Sequence, residues 1–509
     1  MPTPGSIDAD YVRWKTLVPF LYDWFAHHRV VWPSLSCRWG AVLERNEFKH
    51  KQRLYLSEQT DGSASHPNTL VVCNVDVVKR RVAAAESMIF EEESRSAFVK
   101  SWKKIIHPGE VNKMREFESR PELLVTHTDA PELLFWNTDT QPHRKTTAAA
   151  SSAPAAPAGA KAPALDAQSL APSKPDLVLV GHEENAEFAL AVRRDAPDVA
   201  SGGKDQKVLL WSIEDHDAAK AAVKSGAPRA AALYDGAPEL APKLAFAGHE
   251  DTVEDVAFHP SSHAARLCSV ACDRSVIFWD GRAGTAPAHR IESAHADDLH
   301  TVDWSLLDEH AVVTGGADGL CKLWDARRLS RSGDGCVVRT FDAHAGPITT
   351  VQWCPDQRGV FASGAEDGYL NVWDVGRGEG GEGGEGGRGR GVGGENAGAG
   401  EGGDGAGGDA KPRPAASSAL VFQHAGHRSQ VSDFQWNPFD PWTIASVSSG
   451  DGGNTLQMWR VNDLIHRPEE EALAELEKHK AVICGVKLKE RDDEEGAPGN
   501  DPDAMDVGE

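Results

Sequence analysis

The chain has 509 residues and contains no apolar run of the roughly 18 residues that a bilayer-spanning helix needs. Its first residues, MPTPGSIDADYVRW, lack the apolar core of a secretory leader. Both absences predict a protein of the cell interior with no membrane attachment. Cysteine is sparse: the eight residues at 37, 73, 268, 272, 321, 336, 354 and 484 form no CxxC pair and no disulfide framework. Cys268 and Cys272 lie in an apolar, strand-like run with no His or second Cys pair at ligand spacing, so buried structural thiols are expected and metal is not. Basic residues are outnumbered, 53 Lys and Arg against 77 Asp and Glu, for a formal charge of -24. Such a surface repels phosphate backbones and attracts basic partners, so direct DNA binding is not expected. Also missing are a G-x-S-x-G elbow, a P-loop, an HExxH helix and a strand-borne GxGxxG. A binding protein without cofactor or metal is therefore expected, and an enzyme is not.

What the chain does have is a repeat. His107 to Trp136, His182 to Trp211, His295 to Trp324 and His344 to Trp373 are each 29 residues apart, His249 to Trp279 is 30 and His427 to Trp459 is 32. Asp205, Asp273, Asp318 and Asp367 each stand six residues before their Trp, whereas Asp129 stands seven and Asp451 eight before theirs. Runs such as KVLLWS, SVIFWD, LCKLWD and YLNVWD read as strands, preceded by tight turns GGKD, ACDR, GADG and AEDG. This pattern resembles the WD-repeat signature, which folds as four-stranded blades of a propeller.

Where the period stretches, low-complexity inserts account for it: Ala/Pro/Ser-rich at 141–175, Ala-rich at 214–242 and Gly/Glu-rich at 376–416. The stretch 30–95 has no signature, yet its strand-like segments 34–40, 53–59 and 69–78 predict a seventh, degenerate blade closed jointly with a strand from the far end of the chain. The expected fold is all-β, a seven-bladed WD40 propeller over 30–466, with an N-terminal helix at 6–29 and a short C-terminal helix at 467–482. Residues 490–509 carry nine Asp or Glu against one Arg and read as a disordered acidic tail. The N-terminal helix rests on Tyr11, Trp14, Val18, Leu21 and Phe25, which step by 3 and 4 along one helix face despite Pro19.

His and Asp at every repeat argue against catalysis, since an active site needs its residues once. His182, Asp205 and Trp211, His249, Asp273 and Trp279, His295, Asp318 and Trp324, and His344, Asp367 and Trp373 are instead expected to form buried networks that pin each blade. The residues after each His open the inner strand of a blade near the central channel. There EVNK (110–113), ENAEF (184–188), EDTVED (250–255), ADDLH (296–300) and HRSQVSD (427–433) are rich in acids and amides, a lining suited to an inserted Arg or Lys.

Several segments resemble one family, the retinoblastoma-associated, MSI-type histone-binding WD-repeat proteins, most of all the plant FVE type: WKTLVPFLYDWFAHHRVVWPSLSCRWG (14–40), QRLYLSEQTDG (52–62), IIHPGEVNKMRE (105–116), GHEDTVEDVAF (248–258), FQHAGHRSQVSDFQWNPFDPWTIASVS (422–448) and IHRPEEEALAELEK (465–478). The resemblance implies two peptide sites. One is a side groove for the first helix of histone H4, matched here by Phe20, Leu21, Trp24, Phe25, Leu420 and Phe422. Animal members carry a Pro-Pro-Glu stretch in the loop beside it, where this chain has PAASSALVF (414–422), so the apolar half of the site is retained and the acidic half is kept only if glutamates of the preceding GEGGEGG insert replace it. The other is the channel mouth, which receives the histone H3 tail or a basic corepressor peptide and is matched by Glu110, Asn112, Glu187, Phe188 and Glu254. The family further implies a nuclear scaffold in histone deacetylase, Polycomb-type or chromatin assembly complexes, and in its plant branch the silencing of flowering genes. Two WDxR boxes, Trp279-Asp280 with Arg282 and Trp324-Asp325 with Arg327, resemble those by which WD-repeat proteins dock on the cullin-4 adaptor DDB, an alternative role as ligase substrate receptor.

Overall fold

The computed structural model describes residues 4–63, 65–80, 95–143, 171–215, 234, 236–261, 265–329, 337–377, 418–467, 470–474 and 477, with side chains of residues 4–8 and 215 left out. The fold is a seven-bladed β-propeller of seven sheets, antiparallel throughout except for one added parallel strand in blade 2. Helix α1 (Pro4–Leu21) leads into β1 (Tyr22–Arg29). Blade 1 is β2 (Cys37–Arg45), β3 (Lys49–Glu58), β4 (Thr69–Val78) and β5 (Val99–Ile106). Blade 2 is β6 (Lys113–Phe117), β7 (Arg120–His127), β8 (Leu133–Asn137) and β9 (Leu177–Leu179). Blade 3 holds β10 (Leu190–Val192), β11 (Asp198–Gly202) and β12 (Lys207–Ser212); β13 (Glu239–Leu240) returns to blade 2 parallel to β9, and β14 (Leu244–Ala247) completes blade 3. Blades 4 to 6 are β15 (Val253–Phe258) to β18 (His289–Ile291), β19 (Leu299–Trp304) to β22 (Val337–Phe341), and β23 (Ile348–Trp353) to β26 (Leu420–His424). Blade 7 takes β27 (Val431–Trp436), β28 (Thr443–Ser448) and β29 (Thr455–Val461) from the end of the chain and β1 from its beginning.

The ring thus closes in a different blade from the one the sequence predicts. Blade 1 has four strands of its own, and blade 7 is the composite one: β1 pairs antiparallel with β29, with Phe25 opposite Trp459 and Ala26 opposite Met458. The helix expected over 6–29 accordingly ends at Leu21. Tyr22, Trp24 and Phe25 continue the helical spacing of α1, but aromatic residues also suit a pleated, half-buried strand, and the unpaired edge of β29 supplies the backbone partners that decide between the two. Trp24 is fully buried and packs with Cys37, Trp39, Val75 and Met458, joining blades 1 and 7.

Each signature Trp fills a blade interface, and in every case but Trp211 its Nε1–H donates to a Ser or Thr hydroxyl. In blade 6 His344 Nδ1–H donates to Asp367 at 3.1 Å, the Ser363 hydroxyl lies 2.8 Å from His344 Nε2, and Trp373 Nε1–H donates to Ser363 Oγ at 2.8 Å. Blades 4 and 5 repeat this through His249, Asp273, Ser269 and Trp279 and through His295, Asp318, Thr314 and Trp324. In blade 3 His182 holds Asp205 and Ser201, but Trp211 donates to the Val180 carbonyl instead, because His127 also reaches Ser201 Oγ. The two aspartates at irregular spacing have no hydrogen bond to their histidines: His107 Nδ1 meets the Gly109 carbonyl and His427 Nδ1 the Thr455 hydroxyl. One or two residues of extra turn carry Asp129 and Asp451 past the imidazole.

Part of the 214–242 insert is structural. Tyr234 and Ala237 are buried against Tyr55, Leu134 and Trp136, and Glu239–Leu240 is the strand added to blade 2. At the ends of the other two inserts, Gln141 is buried and donates to the Lys174 carbonyl, and Gly376 and Arg377 form a turn. Residues 144–170, 216–233, 235 and 378–416 of the three inserts and the 490–509 tail lie outside the described residues. A separate unit begins at Asp463 with a short helix α2 (Asp463–His466), and residues 470–474 are helical within the expected 467–482 segment. Among the described residues no helix is long and apolar enough to cross a membrane.

Candidate functional site

Helix α1 lies on the rim, against the outer strands of blades 6 and 7. Tyr11, Trp14 and Val18 fall within about 60° of one another on the helical wheel and are buried. Trp14 packs edge-on to Tyr22, Phe25 and His424. A relay of hydrogen bonds locks this contact: Trp14 Nε1–H donates to the Tyr22 hydroxyl at 2.8 Å, which meets His424 Nδ1 at 2.6 Å, and His424 Nε2–H donates to Gln457 Oε1 at 2.8 Å. Burial pushes the His424 imidazole down to about 3, so it serves as a neutral acceptor and donor at once.

The opposite side of α1 faces solvent and carries three exposed apolar residues beside Arg13 and Thr16. Val12 is 62%, Leu17 40% and Phe20 72% exposed. Of the six side-groove residues expected from the sequence, only Phe20 is exposed; Leu21 and Leu420 are half-buried. Trp24, Phe25 and Phe422 are buried in the blade interfaces and offer no surface to a ligand. They are a correction to the expected groove: Trp24 and Phe25 belong to the strand at 22–29 that closes blade 7, and Phe422 to the outer strand of blade 6. Val12 and Leu17 are the exposed apolar residues that the sequence reading passes over, because attention to the 3,4 stripe selects the buried face. Their signal is the presence of Val and Leu off that stripe.

The channel mouth is built by the turns before the inner strands β6, β10 and β15. Glu110 accepts from Gln59 Nε2 at 2.6 Å, Asn112 is buried, and Phe188 is partly exposed. The residue preceding the turn Asp reaches toward an acid just before or in the inner strand of its own blade in two successive blades. In blade 3 it is Lys204, whose ammonium pairs with Glu187 at 2.6 Å; in blade 4 it is Cys272, whose thiol donates to Glu254 at 3.5 Å. Burial pushes the Glu254 carboxyl up from its usual range. Cys272 is thus half-exposed at the mouth, unlike Cys268, which is buried as expected of a structural thiol. Among the described residues no group of His, Cys, Asp and Glu is placed to hold a metal ion.

The two WDxR boxes lie at the far end of blades 4 and 5. Arg282 donates from Nε and Nη2 to Asp280 at 2.9 and 2.6 Å, and Arg327 likewise to Asp325 at 2.9 and 2.8 Å. Both guanidiniums are mostly exposed, while Trp279 and Trp324 are buried in the blade networks.

Residues 9–79, which span α1, β1 and most of blade 1, match the family model of the histone-binding protein RBBP4, a family that includes a component of the CAF1 complex. Residues 241–280, 288–325, 335–374 and 418–460 match the WD domain, G-beta repeat model. Over 490 residues the chain is 47% identical to the WD-40 repeat-containing protein MSI4 of Arabidopsis thaliana, an alignment covering 94% of this chain and 86% of that protein. The chain belongs to the MSI family of histone-binding WD-repeat proteins. Within that family the matched histone-binding segment contains the outward face of α1 and the strand that closes the ring, so one short stretch of sequence serves both the candidate site and the propeller itself.

Proposed function

We propose that this protein is a nuclear scaffold that holds histone H4, and through its channel mouth histone H3 or a basic corepressor peptide, for histone deacetylase, Polycomb-type or chromatin assembly machinery. The observation that carries the reading is the double-sided α1: one apolar face is fastened by Trp14, while on the other side Val12, Leu17 and Phe20 are exposed, interleaved with Arg13 and Thr16, and no described residue covers them. A partner helix with its own apolar stripe suits such a face. At the mouth, Glu187 is already neutralised by Lys204, whereas among the described residues Glu110 meets the neutral Gln59 amide and Glu254 the Cys272 thiol; these two carboxylates are the anchors offered to an inserted Lys or Arg, Glu254 the preferred one. The chain contributes binding and not turnover, and in the plant branch such binding serves gene silencing, including flowering control. Purified H3–H4 offered to the full chain and to its Phe20→Ala and Glu254→Lys variants tests the assignment. Retention of H4 is expected to fall in the first and of the H3 tail peptide in the second; equal retention in all three overturns it.

A second reading is favoured by the matched geometry of Arg282 and Arg327, each held by its own Asp with the remaining N–H groups turned outward. In that reading the same propeller is a substrate receptor docked on the cullin-4 adaptor, and Arg282→Ala with Arg327→Ala abolishes adaptor capture without touching histone binding.

A further inference from the structure

The residue just before the turn Asp takes the same place in blades 3 to 6, and Ser449 takes it in blade 7. From that place its backbone N–H donates to a carbonyl ahead of the inner strand of its own blade: Lys204 to Asn185 and Cys272 to Thr252 at 2.9 Å, Ala317 to Asp298 at 2.8 Å, Glu366 to Pro347 at 3.0 Å and Ser449 to Gln430 at 3.2 Å. In three of these blades its side chain meets that of the second residue beyond the carbonyl. The Lys204 ammonium pairs with Glu187 at 2.6 Å, the Cys272 thiol donates to Glu254 at 3.5 Å, and the Ser449 and Ser432 hydroxyls lie 2.7 Å apart. Lys204 is the one cation at these five positions.

The turn that carries Lys204 is fastened to both acids' segments. A Cβ on Gly203 would meet the Asn185 carbonyl oxygen at 2.9 Å and Ala186 at 3.0 Å, so the turn packs flat on the stretch that ends in Glu187. The Gly203 carbonyl accepts from Val253 N at 3.2 Å, which ties the same turn to the residue before Glu254 in the next blade. The hydrogen bond to Glu187 raises the Lys204 ammonium above the usual lysine range, and the charge of Glu254 adds to the effect, so Lys204 is charged at neutral pH. Both partners of the pair keep contact with solvent, the lysine side chain 47% and the glutamate 26% exposed. An exposed pair of this kind is weak and reversible, and a ligand's cation competes for the same carboxylate.

We infer that Lys204 is a specificity-determining residue of the channel mouth: its ammonium occupies Glu187 as an inserted cation would, so that blades 3 and 4 together accept a peptide with one Lys or Arg, at Glu254, and disfavour a second cation beside it. The inference rests on the reading of the mouth as a site for a basic peptide. A second cation has to displace Lys204 from Glu187 and then lies against its positive charge, and such like-charge contacts select against the wrong partner more than they strengthen the right one. Lys204 is thus a competitor built into the site, and its removal improves binding.

Calorimetric titration of the full chain and of its Lys204→Gln, Lys204→Arg and Glu254→Lys variants tests this, with a histone H3 tail peptide and with the same peptide in which alternate basic residues are replaced by Gln. Lys204→Gln is expected to bind the unaltered peptide about five-fold more tightly at low ionic strength, the order set by an exposed ion pair, and to gain little on the peptide with fewer cations. The gain is expected to fade toward about 0.5 M salt, where a packing effect of the substitution would persist. Lys204→Arg is expected to restore the weaker binding. Equal or weaker binding by Lys204→Gln, where the unaltered chain binds and Glu254→Lys does not, overturns the inference alone, as does an equal gain in Lys204→Arg. No binding by the unaltered chain, or undiminished binding by Glu254→Lys, overturns the basic-peptide reading of the mouth and this inference with it.

Discussion

The Tyr22 hydroxyl and His424 Nδ1 lie 2.6 Å apart although 402 residues separate them in sequence. Tyr22 opens the strand that closes the last blade, and His424 ends the outer strand of the blade before it. Because Gln457 Oε1 can only accept, the neutral His424 carries its proton on Nε2, and the Tyr22 hydroxyl, which accepts from Trp14, donates to His424 Nδ1. Ring closure and attachment of α1 are therefore one event. Tyr22→Phe leaves Trp14 Nε1–H and His424 Nδ1 without partners in a buried place, and is expected to lower unfolding stability by about 1–3 kcal/mol in urea titration. An unchanged midpoint would show that the relay is incidental.

Trp24→Ala and Phe20→Ala separate the two faces of the N-terminal segment. Trp24 is fully buried at the seam of blades 1 and 7, and its removal is expected to cost about 3–5 kcal/mol, enough to unfold a marginal propeller. Phe20 is exposed, and its removal is expected to change stability by roughly 0.5 kcal/mol or less. Comparable losses in thermal melts of the two variants would contradict the assignment of Phe20 to an open face.

The blade networks set a pH dependence. Burial lowers His107 to about 4 and His127 and His424 to about 3, from the ordinary 6.5. The unfolded chain therefore binds protons that the folded one refuses once the pH drops below 6.5, and stability falls from there downward. Although burial alone raises carboxylates, the hydrogen bonds of His182, His295 and His344 hold Asp205, Asp318 and Asp367 below 3.8, adding a further loss as the pH falls through that value. Asp303, raised by burial to about 7, acts in the opposite sense and favours the folded state more at pH 5 than at pH 8. With three histidines against one aspartate, the urea midpoint is expected to drop between pH 7 and pH 5. A flat or rising profile over that interval would mean that these imidazoles are not neutral in the fold.

Asp273→Ala and Asp451→Ala test which turn aspartates hold their blades. Asp273 bonds His249 and the Glu250 backbone, whereas Asp451 has no hydrogen bond to His427. The first substitution is expected to destabilise by about 1–3 kcal/mol and the second to have an effect near zero, measured by chemical denaturation. Equal effects would show that spacing from the Trp does not decide the matter.

Six of the blades are legible in the sequence because each repeats His, turn Asp and Trp at a nearly fixed interval, and the physical cause is the shared hydrogen bonds through Ser or Thr that the interval permits. The closing strand is not legible. YDWFAHHR satisfies a helical spacing and a strand pattern equally, and only the bare edge of β29, distant in sequence, resolves it. Tyr234 and Ala237 are similarly hidden, since single residues in an Ala-rich stretch carry no period. The acids of the mouth are visible as a chemical class, but Lys204 at Glu187 and Cys272 at Glu254 emerge only when the turn of each blade is folded over its inner strand.

The central claim is that the outward face of α1 holds the first helix of histone H4, and calorimetric titration of the full chain with that peptide tests it most directly, beside a Phe20→Ala/Leu21→Ala double variant. Dissociation in the micromolar range or below, on the order of -8 kcal/mol, is expected for the unaltered chain and is expected to be lost in the variant. Absence of binding by the unaltered chain, or equal binding by both, would contradict the claim and shift the function to the channel mouth and the WDxR boxes.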